Sequence, residues 1–150
     1  MNGIKRTLVY LDVCCFNRPY DDQAHPLVKL ETEAKLLIQA EIANGNLDLV
    51  WSFMLHYENN DNPYAERKEQ IALWETKATA VITFTQEMQL QANALMPFGI
   101  KSKDAVHLAC AITAHANYFI TTDKKLLNKS IGAINIINPM DFVRRHFHDN

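Results

Sequence analysis

Apolar and polar positions change rhythm along the chain. Short apolar runs at 7–11 (TLVYL), 47–51 (LDLVW), 80–84 (AVITF), 117–122 (NYFITT) and 134–138 (INIIN) read as buried strands. Between them the spacing turns helical. Over 26–43, positions Leu27, Leu30, Ala34, Leu37, Ile38 and Glu41 recur at three- and four-residue steps, and Asn44-Gly45-Asn46 stops the run. Ser52 is placed to cap a short helix over 53–59, and NNDNP (59–63) reads as a turn. A third helix is expected over 64–79, with Ile71, Trp74 and Ala78 on one stripe. Thr85 precedes a helix to about 95, and MPFGIKSK (96–103) reads as a loop. An Ala-rich helix over 104–116 takes Ser102 as its expected N-cap. Asp123 opens a short turn, KKLLN, and Pro139 opens a terminal helix, with 145–150 expected to fray.

Strands alternating with helices predict a single α/β domain over 1–150. Its expected architecture is three-layer α/β/α, with a mainly parallel central sheet and helices on both faces. Such sheets place their sites at the carboxyl ends of the strands. Asp12 follows the first strand, Asp123 follows NYFITT, and Glu58 lies one or two helical turns beyond LDLVW. Asp104 opens a helix that leads into a strand, so its start is expected on that same edge. The helix over 85–95 first carries the chain away by about 16 Å. The loop over 96–103 spans roughly 26 Å when extended, enough for the return.

Composition adds limits. A chain of 150 residues that is 48% hydrophobic can bury one real core. Its longest apolar stretches fall far short of the roughly 20 residues a membrane span needs, so no membrane association is expected. Asp12 interrupts the apolar run after the basic start and no small-residue cleavage site follows, so no signal peptide is read. Three cysteines, Cys14, Cys15 and Cys110, have no zinc-ligand spacing. They are expected to be free thiols in a reducing cytoplasm, with Cys14 and Cys15 on opposite sides of an extended chain. Lys and Arg total 15 against 17 for Asp and Glu, a formal net charge of −2, so bulk charge does not announce a nucleic-acid binder.

The chemistry therefore rests on placement. Asp12 lies between LVYL and VCCF, where an ionised carboxylate needs compensation from Arg6, Arg18 or a bound cation. Each acid has a purely structural reading. Asp12 could pair with Arg18, Glu58 could be solvated, Asp104 could answer the helix dipole, and Asp123 could cap KKLL. Together, on one edge, Asp12, Glu58, Asp104 and Asp123 would repel one another unless a cation joined them. All-oxygen ligation suits Mg²⁺ or Mn²⁺, which acidify a bound water and neutralise phosphodiester charge. Lys101, Lys103, Lys124 and Lys125 sit beside these acids in sequence, where RNA phosphates would lie, and Arg18 offers a planar fork for a phosphate. His107, one turn beyond Asp104, either faces the site or is a hydrogen-bonded structural histidine. Trp51, Trp74, Phe84 and Phe119 are expected in the core.

KDAVHLACAITAHANYFITTDKKLL (103–127) resembles the C-terminal signature of PIN domains. VYLDVCCFNRP (9–19) resembles their N-terminal signature, and SFMLHYEN (52–59) the segment carrying the family's glutamate. The resemblance covers nearly the whole chain. It implies a cytoplasmic Mg²⁺- or Mn²⁺-dependent endoribonuclease, as in VapC-type toxins, with RNA as substrate, an antitoxin protein as partner and a homodimer. Carried over, Asp12, Glu58, Asp104 and Asp123 form the catalytic metal cluster, and Thr121 is the hydroxyl preceding the last acid. Many members carry Ser or Thr after the first aspartate, whereas this chain has Val13; Asn17 and Arg18 could supply polar contacts instead. The alternative reading is a catalytically weak PIN-fold module that binds nucleic acid or protein. A haloacid-dehalogenase phosphatase wants Asp-x-Asp where this chain has Cys14, and a receiver domain wants an acidic pair before Asp12.

Overall fold

The computed structural model describes residues 6–17 and 23–148. Five strands form one sheet: β1 Leu8–Leu11, β2 Asp48–Ser52, β3 Ala80–Ile82, β4 Tyr118–Ile120 and β5 Asn135–Ile137. All pair in parallel, in the order β3-β2-β1-β4-β5, with Val9 opposite both Leu49 and Tyr118. Val9, Tyr10 and Leu11 are each fully buried. Successive strand residues point to opposite faces, so both faces of the sheet are covered. The mainly parallel sheet of the sequence reading is therefore wholly parallel.

The helices among the described residues are α1 Val13–Asn17, α2 Pro26–Ala43, α3 Phe53–Asn60, α4 Ala65–Ala72, α5 Gln86–Leu95, α6 Ser102–Thr113, α7 Lys124–Leu127 and α8 Pro139–His148. α2 packs against α8, and α5 packs against α6. The β1-to-β2 and β3-to-β4 crossovers step across the sheet in opposite directions. With right-handed connections that sends their helices to opposite faces. The core includes Phe16 edge-on to Trp51 at 5.6 Å and Tyr10 stacked on Phe119 at 5.2 Å. Among the described residues no helix is long and apolar enough to cross a membrane.

Several sequence expectations are corrected. Residues 13–17 form a helical turn, not an extended strand, so Cys14 and Cys15 do not alternate across a sheet. Cys15 is buried and Cys14 is half-buried at the site. The expected helix over 64–79 is α4 followed by a tighter 3₁₀ stretch, Leu73–Lys77. Ser102 is the first residue of α6, and Lys101 holds the cap position without a side-chain bond. Phe84 is exposed beyond β3, edge-on to Phe53, instead of in the core. The expected fray does not begin at 145. α8 runs to His148 because Phe142 is buried and the His146 ring bonds Glu41 of α2 at 2.8 Å.

The return to the sheet edge after α5 uses a 3₁₀ turn, Met96–Phe98, then Gly99 at φ +84°. That left-handed backbone favours glycine, and a Cβ there would also meet Lys129 Nζ at 2.9 Å. Buried Ile100 then anchors the chain ahead of α6.

Candidate active site

The strand order places a topological switch point between β1 and β4, since the chain leaves β1 towards β2 and later comes back to β1's other side at β4. A parallel sheet opens a crevice there, beyond the carboxyl ends of the two strands. Asp12 and the segment 121–123 occupy that crevice. The Asp12 amide still donates to the Ile120 carbonyl at 3.0 Å, so the side chain leaves directly from the end of the sheet. It is only 6% exposed. Oδ1 accepts the Val13 amide at 2.8 Å, and Oδ2 accepts the Thr121 hydroxyl at 2.8 Å. The Thr121 oxygen accepts the Asp123 amide at 3.1 Å, and Asp123 Oδ1 accepts Lys125 N–H at 2.9 Å, capping α7.

The opening of α1 brings Cys14 to this junction. Its thiol lies 3.7 Å from Asp12 Oδ2 and 3.6 Å from the Thr121 hydroxyl, and it takes the Thr122 amide at 3.5 Å. Contact with Cys15 holds the Cys14 thiol below its ordinary pKa. The same contact, with burial, pushes Cys15 well up.

Asp104 stands in the first turn of α6. Its carboxyl is raised above the usual carboxylate value, first by burial and then by the charges of Asp12 and Asp123. His107 pulls it the other way and Glu58 adds a smaller upward push. Asp104 therefore lies in the field of Asp12, Asp123 and Glu58. Among the described residues none of the four forms an ion pair with Lys or Arg. Among the described residues, no group of three or more His, Cys, Asp or Glu side chains is placed to hold a metal ion.

Glu58 reaches the crevice from α3 and is held by His107 of α6 through Oε1 and Nε2. His107 is 1% exposed. Its Nδ1 lies 2.5 Å from the Tyr10 hydroxyl, which lies 2.7 Å from Ser52 Oγ. The sequence reading missed Tyr10 and gave Ser52 only its capping role. The available signal was a tyrosine in a fully buried strand, whose hydroxyl must find a partner.

The other expected contacts are spread around this centre. Asn17 ends α1, donating to the Val13 carbonyl at 3.3 Å and accepting from Asn62 at 3.3 Å. With Glu58, Asn59, Asn62, Tyr64 and Arg67 it lines a cavity of about 290 Å³. Arg67 was read as plain surface charge; its guanidinium stands 4.3 Å from the Tyr64 ring, at this cavity. Lys103 and Lys124 are exposed, with Lys103 Nζ 6.0 Å from the Tyr57 ring. Arg18 lies outside the described residues.

The five-stranded parallel sheet with its acidic crevice defines a PIN-like α/β fold, as the signatures at 9–19 and 103–127 implied. Among solved structures the chain is similar to one in the crystal structure of VapBC2 from Rickettsia felis bound to a DNA fragment from their promoter. The TM-score is 0.58 at 15% identity, over 88% of this chain and 98% of that chain. No family model matches the chain, and no curated protein matches it.

Proposed function

We propose that the chain is a Mg²⁺- or Mn²⁺-dependent endoribonuclease with its active site at the β1/β4 switch point. One observation carries the reading. Burial, then the charges of Asp12 and Asp123 and more weakly of Glu58, raise the Asp104 carboxyl, and among the described residues none of these four acids is paired with Lys or Arg. The donor set is all oxygen, which fits a hard divalent cation. Mg²⁺ itself keeps several waters and takes one or two carboxylates.

Asp12, Asp104 and Asp123 are the residues that would hold the ion, with Glu58 at the α3 side. When bound, the ion would acidify a water and screen the phosphodiester's charge. The chain's own residues do the rest. Val13 N–H and the Thr121 hydroxyl fix the Asp12 carboxylate in one orientation. Thr121 ties that orientation to Asp123 through its amide. Lys103 and Lys124 can meet the flanking phosphates of an RNA strand, and Asn17 and Arg67 can meet a nucleotide beside Glu58. The likeness to VapBC2 supports a toxin role with an antitoxin partner protein.

Val13, in place of a hydroxyl residue, favours the second reading of a weak or inactive module. One assay separates the two. Purified chain is incubated with structured RNA carrying single-stranded loops, with Mn²⁺ or with EDTA. Cleavage that needs the metal and falls at least about 100-fold in Asp12→Asn is the expected result, the size of loss that removing one electrostatic contributor produces. RNA retention in a gel shift without metal-stimulated cleavage supports the binding module. Full cleavage in EDTA overturns the metal mechanism.

A further inference from the structure

Four buried polar groups form an ordered hydrogen-bond chain that ends on Glu58. Its direction follows from donor counting. A carboxylate only accepts, so His107 Nε2 must carry a hydrogen and donate to Glu58. The Nε2–H tautomer leaves Nδ1 as an acceptor, and the Tyr10 hydroxyl, 2.5 Å away, is placed to donate to it. Ser52, 2.7 Å from Tyr10, donates to the Tyr10 oxygen, while Ser52 Oγ accepts the Leu55 amide at 3.2 Å. Every donor in the sequence Leu55, Ser52, Tyr10, His107 meets an acceptor.

The arrangement links four elements. Tyr10 comes from β1, Ser52 ends β2 and caps α3, Glu58 lies on α3, and His107 lies on α6. α3 is thus held at its cap and at Glu58 by the same Tyr10–His107 pair. We propose that His107, oriented by Tyr10 and Ser52, is a positioning residue that fixes Glu58 through Oε1 and leaves Oε2 for the divalent-cation site. The idea rests on the endoribonuclease reading for the identity of the ion, but the hydrogen-bond order does not. Outer partners that orient a ligand carboxylate change metal affinity without touching the ion.

Two measurements test it. In metal-free protein, a long-range ¹H–¹⁵N spectrum of the imidazoles should show His107 as the Nε2–H tautomer, with Nδ1 shifted as a hydrogen-bond acceptor. A Nδ1–H tautomer overturns the proposal. Mn²⁺ binding is then measured by calorimetry for the parent chain, His107→Gln, His107→Leu and Tyr10→Phe, each checked by circular dichroism. Gln retains a donor near the Nε2 position and should bind within about threefold of the parent, whereas Leu and Phe should bind about 10- to 100-fold more weakly. Tyr10→Phe removes one hydroxyl and stays informative if His107→Leu does not fold. Equal Mn²⁺ affinity in Tyr10→Phe and the parent overturns the positioning role. A parent chain that shows the expected tautomer and binds no Mn²⁺ overturns the metal reading and, with it, the cation role assigned to Glu58.

Discussion

At the scale of single residues, the site and the core make opposite demands on buried charge. Asp104 forms no ion pair with Lys or Arg among the described residues and is raised by burial and then by the charges of Asp12 and Asp123, so its ionised form costs folding stability. A carboxyl raised on folding carries that cost above its folded pKa, and the cost fades as pH falls through that value towards the unfolded one. Asp104→Asn should therefore leave the metal-free chain as stable as the parent or more so, with less gain on mild acidification, while cleavage falls at least about 100-fold. Thermal melts from pH 4 to 8 beside the cleavage assay check both halves; a large loss of stability would make Asp104 a structural residue. Lys35 shows the same logic away from the site. It is fully buried on α2, its Nζ has no hydrogen-bond partner and lies 4.2 Å from the Phe16 ring, and burial lowers its pKa to about 8. The shift corresponds to roughly 3 kcal/mol lost below pH 8, relieved as pH rises from about 8 towards the unfolded value near 10.4. Lys35→Met should raise stability at pH 7 by about 1–3 kcal/mol and flatten the rise between pH 8 and 10.5, as read by urea titration. Asp12 and Asp123 stood out in the sequence because a carboxylate at a strand end contradicts its surroundings. Tyr10 and Lys35 did not, since a tyrosine in a strand and a lysine in a helix break no local rule.

At the scale of elements, spacing located the long helices well. Pro26–Ala43 has the expected limits, and the Ser52 and Thr85 caps are both made, to Leu55 and Met88 at 3.2 Å. The failures occur where tertiary contact outweighs propensity. In 13–17 the run VCCFN has strand-like composition, yet it turns helical because Asp12 Oδ1 takes the Val13 amide and Phe16 packs on Trp51. Trp74 and Ala78 fit a helical stripe, but the chain tightens before β3 so that Thr79 N–H can reach the Leu49 carbonyl at 2.9 Å. The turn that delivers Asp104 is the most sensitive connection. Gly99→Ala places a Cβ at a left-handed φ and should cost about 1–2 kcal/mol in chemical denaturation. It should also reduce cleavage, because α6 carries both Asp104 and His107; unchanged stability would show that this turn can be rebuilt without glycine.

At the scale of the whole molecule, the order β3-β2-β1-β4-β5 explains why residues as far apart as Asp12 and Asp123 meet. The alternation of strands and helices implied an α/β sheet, and the resemblance at 103–127 narrowed it to a PIN-like domain. The order itself was not readable from periodicity, because the long β3-to-β4 crossover over two helices leaves several routes open. The fold-level likeness to VapBC2 at 15% identity agrees with that topology. On the proposed reading, that topology gathers the four carboxylates for a divalent cation. The most direct test is anomalous diffraction from crystals soaked in Mn²⁺. The expected result is a peak beyond the ends of β1 and β4, about 2.1 Å from an oxygen of Asp12 and an oxygen of Asp104 or Asp123, with waters completing an octahedron. A crevice without a peak at saturating Mn²⁺, or ions bound only elsewhere on the surface, would contradict the account.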